Sequence, residues 1–81
     1  MKNLMKLFNE YAKVKQSLVI EITWDKVADW TIYIEHRDSK KIIFYENWGS
    51  LEFACTRAFL NLEEWGREYE DLENIFYNIF D

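Results

Sequence analysis

Hydrophobic residues recur every three or four positions at the start of the chain: Leu4, Leu7, Phe8, Tyr11 and Val14, with Lys2, Lys6, Asn9, Glu10 and Lys13 between them. This is the stripe of an amphipathic helix, and it predicts one over roughly residues 3–15. The period then drops to two. Leu18, Ile20, Ile22 and Trp24 alternate with Val19, Glu21 and Thr23, and Trp30, Ile32, Ile34 and His36 alternate with Thr31, Tyr33 and Glu35. Side chains of a strand point to opposite faces in turn, so these runs predict two strands, joined by the polar turn "DKVAD". A third β-prone run, "IIFYENW" from Ile42, follows the turn "RDSK". Connections this short favour an antiparallel meander.

Past Ser50 the period returns to that of a helix. Ser50 is a good N-cap, and Leu51, Ala54, Cys55, Ala58, Phe59 and Leu62 form one stripe, whose small residues let the helix lie close on the sheet. Phe53 and Leu60 fall off that stripe and call for a second cover, which the end of the chain is expected to supply. Gly66 suits a left-handed helix end, and Asp71 suits the cap of a further helix carrying Leu72, Ile75, Phe76 and Ile79. The expected architecture is α+β, a single domain over 1–81. Its order is helix, three-stranded antiparallel meander, then two helices (αβββαα).

Composition supports a folded chain. At 81 residues a domain needs large side chains to offset the entropy of folding, and 19% of this one is aromatic. The net charge of −5 is unevenly spread. Residues 1–50 carry seven acids and eight Lys/Arg; residues 51–81 carry eight acids and two arginines. Such a C-terminal third repels phosphate, so the expected partner is the basic surface of a protein, above all a nucleic-acid-binding one, with no direct nucleic acid contact. No apolar run is long enough for a signal peptide or a membrane span, so no membrane partner and a cytoplasmic location are expected, with a monomer ahead of a dimer.

Candidate chemistry is sparse. His36, the only histidine, has no nucleophile or second base placed near it by any motif, and reads as a solvated hairpin residue. Cys55, the only cysteine, reads as a small buried apolar residue between alanines. One His and one Cys cannot make the usual zinc sets, and neither calcium-loop nor phosphate-cradling glycine motifs occur. No metal, no cofactor and no enzymatic activity are therefore expected.

What stands out is acidity: Glu63, Glu64, Glu68, Glu70, Asp71 and Glu73 lie within eleven residues and are opposed in sequence by Arg67 alone. A solvated helix end is the plain reading, with Asp71 and Glu73 favoured by the positive end of the last helix. Glu63 and Glu64, at the other end of a helix, oppose its dipole, so helix stability does not call for them. Trp65 and Tyr69 sit among the charges, as aromatic anchors do in interaction surfaces.

The stretch "AFLNLEEWGREYEDLENIFYN", Ala58 to Asn78, resembles the small acidic anti-CRISPR proteins of phages and prophages that inhibit the RNA-guided nuclease of type II CRISPR systems. The shared features are an Ala-Phe pair, a Trp, Glu-Tyr-Glu-Asp, and Phe-Tyr-Asn a few residues on, with size, acidity and element order. The resemblance implies a DNA mimic whose carboxylates occupy the groove where the nuclease reads the PAM. It implies contact through Tyr69 and Asp71, with Glu68 and Glu70 beside them, and through the turn after the second strand, here Asp38 and Ser39. Two other functions fit an acidic chain of this size: an antitoxin or immunity-type inhibitor of another nuclease, and an oligomerising phage structural protein. In the latter Phe53, Leu60 or "IFYNIF" would pair between copies.

Overall fold

Six elements account for nearly all of the chain in the computed structural model, which describes residues 1–80: helix α1 (Lys2–Val14), strands β1 (Leu18–Asp25), β2 (Asp29–His36) and β3 (Lys41–Trp48), and helices α2 (Leu51–Gly66) and α3 (Glu70–Phe80). The strands form one antiparallel sheet in the order β1-β2-β3. This is the α+β architecture, αβββαα, that the periodicities predict.

Register assigns each side chain a face. Leu18↔His36, Ile20↔Ile34, Ile22↔Ile32 and Trp24↔Trp30 lie on one side of the β1–β2 pair, continued on β3 by Phe44, Glu46 and Trp48. Against this side pack the helices, and Leu18, Ile32, Ile34 and Phe44 join Leu4, Leu7, Phe8, Tyr11, Ala54, Ala58, Leu62, Trp65 and Leu72 in one core. Cys55 is buried there with its two alanine neighbours, as the small-residue stripe predicts. The other face, with Glu21, Thr23, Thr31, Tyr33, Tyr45 and Asn47, has no helix over it among the described residues; Tyr33 and Tyr45 meet edge to face at 5.6 Å. A bulge places Ile43 as an extra residue of β3, since Ile34 faces Phe44 whereas Glu35 faces Ile42. Ile43 thereby reaches the core together with Phe44.

Ser50 caps α2 as expected, its Oγ accepting from the Phe53 amide at 3.2 Å. The end of α2 differs from expectation. Gly66 is helical and buried, and no glycine has positive φ. The helix closes instead through tightened turns, with Glu68 N–H donating to Trp65 C=O and Tyr69 N–H to Gly66 C=O. What demands glycine is the Tyr11 ring, which occupies the space where a Cβ on Gly66 would stand. Helix α3 begins at Glu70, so Asp71 belongs to its first turn and is not its cap.

Among the described residues, the end of the chain does not cover Phe53 or Leu60. Both are exposed, Phe53 lying edge-on against Trp48 at 4.6 Å. Helix α3 instead packs along α1 and α2 through Leu72 and an aromatic cluster, Phe59 with Phe76 at 6.2 Å and with Phe80 at 5.3 Å. "IFYNIF" thus spends two of its three aromatics inside its own chain.

Candidate protein-binding surface

The acidic segment is built on the junction between α2 and α3, at the end of the molecule where β2 ends and β3 begins. Trp65, the last aromatic of α2, faces inward: it is buried, 6.4 Å from Tyr11 and 5.3 Å from His36. Trp65 is therefore a core residue rather than a surface anchor. Tyr69 is half-buried against it at 4.9 Å. Glu63 is also spent inward. Its side chain is only 12% exposed, and its Oε1 accepts from Arg67 Nε at 2.6 Å. A charge that the helix dipole disfavours is thus offset by an arginine one turn on.

The remaining acids face water. Glu64, Glu68, Glu70, Asp71 and Glu73 are exposed, and Glu68, Glu70 and Asp71 line one shallow depression with Tyr69 and Asn74. Glu70, Asp71 and Glu73 occupy the first turn of α3, where free amides and the helix dipole favour negative charge. Their mutual repulsion is thereby partly compensated without neutralising them.

Lys15 is the surface residue that sequence reading misses. It follows α1, far from the cluster in the chain, yet its Nζ sits 4.4 Å from the Tyr69 ring centroid and 3.5 Å from Asp71 Oδ2. Tyr69 is held between this ammonium and Trp65. Only the packing of α3 against α1 creates the contact, so no local pattern announces it.

His36 corrects the sequence expectation most directly. It is not solvated but 7% exposed, because the inward row of β2 carries it beneath α2. Its ring lies 5.3 Å from Trp65 and 6.4 Å from Tyr69, and its Nδ1 is 2.7 Å from Ser39 Oγ. Ser39 Oγ also reaches the His36 carbonyl at 3.4 Å. His36 thus joins the β2–β3 turn to the acidic junction. Asp38 and Ser39 are exposed on that turn, the Asp38 amide donating to Ser17 Oγ at 3.2 Å. Just beyond it, Lys41 lines a second depression with Asn61, Glu64, Trp65 and Glu68. The two segments implied by resemblance therefore adjoin, with a lysine where they meet.

Among the described residues no group of three or more His, Cys, Asp or Glu could hold a metal ion, and no helix is long and apolar enough to cross a membrane. Compared with protein-family models, with curated proteins and with solved structures, the chain matches none of them.

Proposed function

We propose that the protein is a non-enzymatic inhibitor that presents the surface from Glu64 to Glu73 to a basic, nucleic-acid-binding groove of a phage-defence nuclease, in the manner of a type II anti-CRISPR protein that blocks PAM recognition. The observation that carries the reading is the exposed acidic depression of Glu68, Tyr69, Glu70, Asp71 and Asn74, on a segment that also resembles that family. Carboxylates fixed on a helix start can engage the arginines that otherwise bind DNA phosphate or PAM guanines. Close charge pairs at such an interface lose about 2–5 kcal/mol when one partner is truncated, and rim charges mainly set the association rate. Glu63 and Trp65 act in this reading as supports of the surface, while Asp38 and Ser39 form its neighbouring rim.

The test is direct binding of the purified protein to a type II effector ribonucleoprotein, read together with target-DNA binding and cleavage. Association that weakens at high salt, and is lost in the double variant Glu70→Lys, Asp71→Lys with the fold intact, is the expected result. Absence of both association and inhibition across type II effectors overturns the reading.

A further inference from the structure

The sheet has two edges of different character. β3 carries Lys41 and the bulge at Ile43, and α2 lies along it. A charge and a bulge are the usual means by which an edge avoids pairing. β1 has neither. Over Leu18–Asp25 it contains no Pro, Lys or Arg, and it pairs with β2 in unbroken register. Among the described residues no other strand lies on its outer side.

The helix-facing row of β1 is also progressively bare: Leu18 is buried, Ile20 and Ile22 are half-buried, and Trp24 is 57% exposed. Helix widths explain why. Packed helices stand about 8–10 Å apart and neighbouring strands about 4.8 Å, so one helix spans roughly two strands. α2 contacts both β2 and β3, whereas β1 is the one strand that α1 contacts among the described residues. The helix layer therefore has room for a fourth strand beside β1.

We propose that the outer edge of β1 takes up an extended segment of another protein as a fourth strand, one in which apolar residues alternate with Lys or Arg. Its apolar row would continue that of Ile20, Ile22 and Trp24 beneath α1. Its basic row would lie on the open face beside Glu21, the acid at the centre of the open row of β1. Main-chain bonding supplies affinity in this mode, and the alternating side chains supply selectivity. A second copy of β1 does not fit. Two-fold pairing would crowd two α1 helices over two strands, and centring it at Ile20, Glu21 or Ile22 sets Glu21 directly or diagonally opposite its own copy. This edge is separate from the acidic surface, so neither proposal depends on the other.

The experiment titrates the intact protein against a short fluorescein-labelled peptide of alternating valine and lysine. Controls are a shuffled peptide of equal composition and the alternating peptide with every second backbone amide methylated. Fluorescence anisotropy gives affinity, and amide exchange by NMR gives location. Each control should bind at least about tenfold more weakly, and β1 amides should gain protection with the alternating peptide. Trp24→Lys and Glu21→Lys should each weaken binding about tenfold, while Glu70→Lys with Asp71→Lys changes it less than about twofold. Glu21 lies on the open face, so its variant serves where Trp24→Lys does not fold. No binding, equal binding of the shuffled peptide, or a loss that follows the Glu70 and Asp71 changes overturns the proposal. So does a dimer in light scattering that Trp24→Lys dissociates, which would assign the edge to a second copy.

Discussion

The Tyr11 ring lies against Gly66 so closely that its Cε2 and Cζ would stand 2.6 Å from a Cβ at that position. Both residues are buried, so neither side can yield freely. Because Met1 and Leu4 sit near Cys55 and Phe59 while Tyr11 sits at Gly66, α1 and α2 run in the same direction, and this contact locks their far ends. Gly66→Ala is accordingly expected to destabilise the protein. Overpacking costs typically about 1–3 kcal/mol, against a helix-propensity gain of about 1 kcal/mol. Reversible chemical denaturation measures the balance, and an unchanged or raised midpoint would show that the α1–α2 packing gives way easily.

Tyr11 also carries a pH dependence. Burial, and then the Glu63 carboxylate, push its phenol from 10.0 up to about 12, with Arg67 acting in the opposite sense. Below pH 10 the phenol is neutral in both folded and unfolded chains and the difference contributes nothing. Above it the unfolded chain ionises first, so stability is expected to fall between pH 10 and about 12. A near-ultraviolet titration should show one tyrosine ionising late and together with unfolding, a feature that Tyr11→Phe removes.

Ser39 and His36 join the β2–β3 turn to the aromatic junction. Ser39→Ala leaves the buried imidazole without its partner, which is expected to cost about 1 kcal/mol. His36→Ala opens a gap beside Trp65 and should cost about 2–4 kcal/mol, by analogy with large-to-small changes in cores. Denaturation midpoints give both values, and Trp fluorescence should respond to the second. If His36→Ala is neutral, the ring is not part of the core.

Glu46 and Arg57 tie β3 to α2 through two bonds, Nη2 to Oε2 at 2.9 Å and Nε to Oε1 at 3.2 Å. The Arg57 guanidinium, with help from the Trp48 indole N–H, holds the Glu46 carboxyl below its usual range despite an opposing desolvation. Its contribution is present above the ordinary glutamate pKa and lost as pH falls through the lowered one. Because both groups are partly exposed, Glu46→Gln should change stability by less than about 1 kcal/mol at neutral pH and flatten its acid limb. A pH series of denaturation midpoints for the two proteins checks this.

Lys15 neutralises part of the proposed binding surface from within. Lys15→Met removes the ammonium from Tyr69 and Asp71, at an expected cost below about 1 kcal/mol for a partly exposed pair. If Asp71 meets a basic groove, the variant should associate faster at low salt, since steering grows with net negative charge. Stopped-flow association with an effector ribonucleoprotein measures it. A slower rate would make Lys15 itself a contact residue.

The order of elements and most of the core were legible in the chain, because burial against a helix or a sheet leaves a period in the sequence. Leu4, Leu7, Phe8 and Tyr11 mark α1, the alternation from Leu18 and from Trp30 marks β1 and β2, and Ser50 starts α2. Periodicity states which way a side chain points, but not what covers it. His36 shares its row with Ile32 and Ile34, yet its polar tip and turn position suggested solvent until α2 and Ser39 closed over it. Gly66 lay where a left-handed residue would be ordinary, and only the arrival of Tyr11 from another helix explains its missing side chain. The sequence located the acidic segment. Tertiary packing divided it, burying Trp65, pairing Glu63 with Arg67, bringing Lys15 to Asp71 and leaving Glu68 and Glu70 in water. Contacts between residues so distant in the chain depend on how three helices pack, which no local pattern records.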